Sequence, residues 1–521
     1  MHVLRSASHK PFLRRSLTNH HIHAIHRFLT ATTTSAVRPG QLEVTSASVV
    51  DKGKGLILQF SENESSLFHA PWLWSNEPSS IHPTSGQRTR SISTCFGWKI
   101  ESARLLSHWK VEQIQGKKTV AIPPGCFHPI GTVYEASQDS QAEHLRSNQA
   151  VPYLQVEWKH ERRNEQFASF FDVQWLLECR YDQQALNQRR LQQEITTTQA
   201  LQFDSQPTLV DFDEWITQPD DAALQILDGV FQNGAALMTN VPHHQHLSGS
   251  IMESVGEIGK SLASGGSLSH GSLYGDIFHV QAEPGALNIA STNLGLAAHQ
   301  DLAYYESKPG LQLLHCVKNR GVQGGMSLLI DAMAAALTLK DLAPDLYGVL
   351  LECEATFVKQ RMNADMVFRM PHIEEDSNGS VIRVSWSPPF EGPMSVKPSL
   401  LNDYVAAYSA FERMLDKNLP KDEFYLPLPQ SLEKALIDYA HQYSWERQLE
   451  EGDVLIFSNQ RMLHGRSAFE IAGNDPQNGR HLVGCYTNID DTLCRYRLLR
   501  RRQVQNYETT PHVPFAGNGS A

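Results

Sequence analysis

At 521 residues the chain is too long for one ordinary domain and long enough for two, each with a sizeable core. Hydrophobic residues at 41% and charged residues at 19% describe an ordinary globular protein, and a net charge of −11 argues against a general nucleic-acid binder. The longest unbroken apolar stretches are far too short to cross a bilayer, so neither a nucleic-acid nor a membrane partner is expected.

The first 40 residues stand apart, with six basic residues (Arg5, Lys10, Arg14, Arg15, Arg27, Arg38), many Ser and Thr, and no acid before Glu43. Mitochondrial import sequences read this way, so residues 1–40 are expected to be an import segment. Without that role the protein would be cytoplasmic. Residues 41–190 carry short β-like runs bounded by turns, Leu56–Phe60, Thr119–Ile122 and Leu154–Trp158, and form a small β-rich N-terminal domain. Asn187–Thr198 is polar without an apolar stripe and suits a linker or surface helix.

An acidic stretch around Trp215 leads into a helix over Ala222–Gln232, and Ser250–Leu262 is a second helix. Leu311–His315 and Ser327–Ile330 read as strands, as does Val381–Trp386. Helices follow over Leu400–Leu419 and Ser431–Tyr443, then strands over Val454–Phe457 and Leu482–Tyr486. Many strands, few helices and little β-α-β alternation favour a mainly β fold with α, a double-stranded β-helix (jelly roll) catalytic domain over 200–505. Residues 506–521 are a tail. The run Arg495–Arg502 reads as the solvated face of a terminal helix. Seven cysteines without a CxxC pair argue against a disulfide framework or a cysteine zinc site.

His299-Gln300-Asp301 places two metal-ligand types at i and i+2, which an extended backbone turns to one face. His464, just beyond the strand around Val454–Phe457, is the candidate third ligand. Two imidazoles and one carboxylate fill three positions of an octahedron and suit an iron(II) oxygenase. Alone, HxD is a weak signal, because among 24 histidines about one such triplet is expected by chance. Arg480 strengthens it. On a strand, Arg480, Leu482, Gly484 and Tyr486 share a face, and an inward guanidinium needs an anion such as a dicarboxylate cosubstrate. Gly484 would leave space between Arg480 and Tyr486.

The ordered motif from His299 to Cys316, with Gly324-Gly325, His464-Gly-Arg466 and Arg480–Tyr486, closely resembles the gamma-butyrobetaine dioxygenase and trimethyllysine dioxygenase family. These belong to the wider taurine-dioxygenase-like group. The similarity covers roughly 225–505, and Ala70–Asn76 and Phe171–Leu177 more faintly resemble the family's N-terminal domain. The resemblance implies iron(II) on His299, Asp301 and His464, with 2-oxoglutarate as cosubstrate, O2 as oxidant and ascorbate as reductant. It implies Arg480 at the distal carboxylate of 2-oxoglutarate, with Ser327 assisting. It also implies a small-molecule substrate, gamma-butyrobetaine first, whose trimethylammonium group meets Tyr274, Phe278 and Tyr486, with Asn288 as a polar neighbour. A homodimer is the implied assembly.

Three features depart from the family pattern. A fourth cage aromatic is Ser291 here, and the acid that often follows the glycine pair is Met326. The family's structural zinc would need ligands at Glu77, Ser79, His82 and about Phe167, so no structural zinc is expected. Alternatives are a hydroxylase of trimethyllysine or another small compound, a non-catalytic scaffold, and a hydrolytic zinc enzyme. The last has no accompanying general base.

Overall fold

The computed structural model describes residues 44–504, apart from 121–152, 183–206 and several shorter stretches, 244–250 and 282–288 among them. The import segment at 1–40, the linker Asn187–Thr198 and the tail 506–521 lie outside the described residues. The chain divides into two compact units, Met1–Glu194 with Tyr507–Ala521, and Ile195–Asn506.

In the first unit β1 (Val44–Val50), β2 (Gly55–Phe60) and β3 (Ser65–His69) form an antiparallel sheet. A second antiparallel sheet joins β4 (Trp98–Leu106) to β7 (Tyr153–His160) and β8 (Gln166–Asp172), while β5 (Val111–Ile114) and β6 (Lys117–Val120) make a hairpin. Strand periodicity explains the core. Leu56, Leu58 and Phe60 point one way and bury with Phe68, Leu154, Val156, Trp158 and Trp74. Of the positions weighed for zinc, Glu77 is ion-paired to Arg90 at 3.2 Å. Phe167 packs edge-on against Trp74 and Trp98. Ser79 and His82 lie outside the described residues.

The second unit is built on two sheets. The larger contains β9 (Thr208–Asp211), β10 (Ala235–Thr239), β11 (Ile277–Gln281), β13 (Leu311–Arg320), β21 (Val454–Ser458) and β24 (Gly479–Thr487). Their order is β11-β24-β13-β21-β10-β9, antiparallel except for β9 beside β10. The smaller has β12 (Leu296–His299), β22 (Met462–Arg466), β15 (Ser327–Asp331) and β20 (Ser444–Arg447), in that order. Short pairs complete it: β14 (Val322–Gly324) with β23 (Phe469–Ile471), β16 (Glu354–Arg361) with β17 (Ala364–Pro371), and β18 (Ile373–Glu375) with β19 (Val381–Val384).

Alternation along β13 shows how the layers meet. Leu311 and Leu313 pack with Leu227, Val230, Ile258 and Leu499 from the helices Pro219–Asn233, Ile251–Ser261 and Ile489–Val504. Leu314 and Cys316 face the other way and bury against Leu329 and Trp445 of the smaller sheet. The helices Ala332–Leu342, Pro344–Glu352, Leu401–Leu415 and Gln430–Gln442 cover the smaller sheet through Ala336, Leu350, Phe411 and Leu436 around Ile330 and Leu463. The arginine run on the last helix is a largely solvated face, with Arg497, Arg500 and Arg502 exposed, and Arg495 and Arg502 both bond Asp220, at 2.7 and 2.6 Å. Among the described residues no helix is long and apolar enough to cross a membrane.

Candidate active site

The pairing of β12 with β22 sets His299 directly opposite His464, and their ring centroids stand 4.3 Å apart. Asp301 is not on the strand, as an extended HxD would have it. It sits in the turn that follows, beside buried Leu302, whose φ of +57° is left-handed. One donor atom from each of His299, Asp301 and His464 lies within 4.8 Å of the others. His299 Nε2 is 3.4 Å from Asp301 Oδ1, and His464 Nε2 is 3.8 Å from Asp301 Oδ2.

The surroundings prepare these atoms for a cation. His299 Nδ1 donates to the Ala297 carbonyl at 2.8 Å, which orients the ring with Nε2 toward Asp301. Burial, aided by the neighbouring His299, pushes the His464 imidazole down to about 3. Burial alone would raise Asp301, yet the two imidazoles and the Tyr486 hydroxyl hold its carboxyl well below the ordinary range. Two imidazoles and a carboxylate form a donor set that fits a divalent transition metal.

Asp301 is fixed from several sides. Gln312 Nε2 and the Tyr486 hydroxyl donate to its Oδ2 at 2.8 and 2.7 Å. The Asn459 amide accepts from its backbone N–H at 3.1 Å and donates to its carbonyl at 2.9 Å. Between the ligands, Gln300 is locked by Trp386 and by Lys308, which is fully buried. Lys308 Nζ donates to Gln300 Oε1, the Val384 carbonyl and Ser385 Oγ. Sequence reasoning missed Gln312, Asn459 and Lys308. Their signal was a polar residue within or beside an apolar run, which must find a partner once buried.

Arg480 lies on β24, 5% exposed, and among the described residues no hydrogen bond or ion pair engages it. Its side chain runs along the backbone before β15, where a Cβ on Gly325 would stand 3.4 Å from Arg480 Nε. Ser327, two residues on, is buried opposite Arg466 and makes no hydrogen bond to Arg480. Arg466 donates to the carbonyls of Ala290, Thr292 and Leu294, and so holds the segment bearing Ser291.

Tyr274, Phe278, Ser291 and Tyr486 line one pocket with His299 and Asp301, joined by Tyr304 and Phe390. Asn288 lies outside the described residues. Phe278 and Tyr486 stack on each other at 4.8 Å. The space expected at Gly484 is filled by Phe278, its cross-strand partner, since a Cβ there would come within 2.3 Å of Phe278 Cζ. Gly484→Ala should therefore displace the ring and cost about 1–3 kcal/mol, read as a lower denaturation midpoint.

Beyond Phe390, Glu391 accepts from the Tyr408 hydroxyl at 3.3 Å. Burial raises its carboxyl from 4.5 to about 7, against the Tyr408 hydrogen bond and with help from Glu412. Between those values the folded chain holds a proton that the unfolded chain has lost. Stability therefore falls as pH rises through the window, and the full cost is present above it. Glu391→Gln should leave stability unchanged below pH 4.5 and raise it by about 1–3 kcal/mol at pH 8, measured by denaturant unfolding.

The family described as taurine catabolism dioxygenase TauD, TfdA family matches residues 194–486. Over 232 residues the chain is 35% identical to the dioxygenase str8 of Strobilurus tenacellus, covering 44% of this chain and 49% of that one. It is 29% identical over 349 residues to the gamma-butyrobetaine dioxygenase of Pseudomonas sp. (strain AK-1), covering 67% and 79%. It is 25% identical over 334 residues to the mitochondrial trimethyllysine dioxygenase of Bos taurus, covering 63% and 69%. The chain thus spans about half the length of the first of these relatives and more of the other two.

Proposed function

The chain belongs to the TauD, TfdA family and is a dioxygenase, and from that premise we propose an iron(II)- and 2-oxoglutarate-dependent hydroxylase of a small substrate. The observation that carries this reading is Arg480, a buried cation that no acid among the described residues pairs, on the strand whose Tyr486 touches Asp301. A buried guanidinium left unpaired is costly, and a dicarboxylate cosubstrate answers it in fork geometry.

His299, Asp301 and His464 would hold the metal. Iron(II) bound there supplies the redox chemistry that, with O2 and 2-oxoglutarate, replaces a substrate C–H bond by C–OH. The protein's part is orientation. Gln312, Asn459 and Tyr486 fix the carboxylate ligand, Arg480 anchors the cosubstrate's far end with Ser327 nearby, and the aromatic wall excludes water. The two packed sheets support a double-stranded β-helix over 200–505, following an N-terminal domain at 41–190. The basic segment 1–40, together with the mitochondrial relative, supports mitochondrial residence.

Three pocket aromatics support a trimethylammonium substrate, gamma-butyrobetaine first and trimethyllysine as the alternative, because ring faces attract a quaternary ammonium by roughly 0.5–2 kcal/mol each. The test is product analysis by mass spectrometry with gamma-butyrobetaine, trimethyllysine and taurine in parallel. A hydroxylated product from gamma-butyrobetaine alone is expected. Turnover of trimethyllysine or taurine instead would transfer the assignment, and turnover of none would remove the ammonium reading.

A further inference from the structure

The hairpin β16–β17 brings a charge pattern to the pocket. Side chains alternate along a strand, so Ala355, Phe357, Lys359 and Arg361 share one face of β16. Ala355 and Phe357 are buried in the cluster that contains Tyr304 and Tyr486, so this face turns toward the pocket wall. Further along the same face the chemistry becomes cationic. Lys359 Nζ stands 4.6 Å from the Phe390 ring centroid, and the Arg361 guanidinium carbon 5.9 Å from that of Tyr274. Both rings line the pocket that holds His299 and Asp301.

Among the described residues no acid answers these charges. Opposite Lys359 on β17 is Met366, and opposite Arg361 is Ala364. Asp365 pairs instead with Gln360, on the other face of the strand. Among the described residues neither cation makes a hydrogen bond or ion pair. Burial, with Arg361 beside it, holds the Lys359 amine below its ordinary range, and the carboxylate that acts on it is Asp301, already committed to the triad. Cross-strand neighbours usually set opposite charges together, whereas here two like charges stand against rings that line the pocket.

Resting on the dioxygenase reading, we propose that Lys359 and Arg361 form the receiving site for an anionic group of the substrate, a carboxylate or sulfonate. The preferred substrate is then an organic acid or zwitterion and not a simple cation.

The test is calorimetric binding to full-length protein loaded anaerobically with iron(II) and 2-oxoglutarate, where no turnover occurs. The probes are gamma-butyrobetaine with its methyl ester, and taurine with choline. At least one acid should bind about tenfold or more tighter than its uncharged-end counterpart. Lys359→Gln combined with Arg361→Gln should erase that preference without weakening the ester or choline. Lys359→Glu, which reverses charge at a rim position, should shift preference toward choline. Equal affinity for acid and counterpart, a preference that survives the double variant, or binding of no probe would overturn the site. Substrate-free succinate release from 2-oxoglutarate separates the two failures. If it persists, only the anion site falls; if wild-type protein shows none, the oxygenase reading falls with it.

Discussion

Asp301→Ala is expected to abolish iron retention and turnover together, and His299→Ala and His464→Ala should do the same. Each variant removes one donor from a set whose atoms lie within 4.8 Å of one another. The two remaining donors cannot hold the ion against water and leave a hollow in the turn or strand that supplied the third. Loss of an outer partner of a metal ligand costs roughly 10–100-fold in affinity or activity, and loss of the ligand itself should exceed that range. Tyr486→Phe, Gln312→Leu and Asn459→Ala supply the scale, since they free the Asp301 carboxylate or backbone without removing a donor. Iron per chain after anaerobic reconstitution, measured beside succinate release, tests the ordering. A ligand variant that retains iron and activity would refute the assignment.

Arg480→Gln should raise the KM for 2-oxoglutarate far more than it changes the KM of the prime substrate. Removing one partner of a buried charge pair costs about 2–5 kcal/mol, a factor of roughly 30 to several thousand. Arg480→Lys should recover part of that loss, because it restores charge without the planar fork. The split between the two KM values distinguishes anchoring of cosubstrate from general damage to β24. Equal increases in both would indicate that Arg480 supports the strand and not the anion.

The strongly patterned strands were legible. Leu311–His315, Ser327–Ile330 and Val454–Phe457 lie within β13, β15 and β21, because apolar runs of that length bury in a sheet whatever their neighbours. The helix ends shifted, with Leu400–Leu419 shortening to Leu401–Leu415. The ligand motif was legible as residue types at a spacing, but not as geometry. Register sets His299 opposite His464, and a turn supplies Asp301, neither of which one strand's periodicity encodes. Asn459 was hidden because its partner lies 158 residues away, Lys308 because two of its acceptors lie 76 and 77 away, and Gln312 because only the turn at Asp301 brings the two together. The pocket face of β16 was hidden for the same reason, since the rings beside Lys359 and Arg361 belong to other parts of the chain.

If these residues form an iron- and 2-oxoglutarate-dependent centre, full-length protein with O2 present forms succinate from 2-oxoglutarate with iron(II) and not without it. Iron-dependent succinate that disappears in Asp301→Ala is the expected result. Absence of succinate under every iron condition, or release that is indifferent to both iron and Asp301, would contradict it.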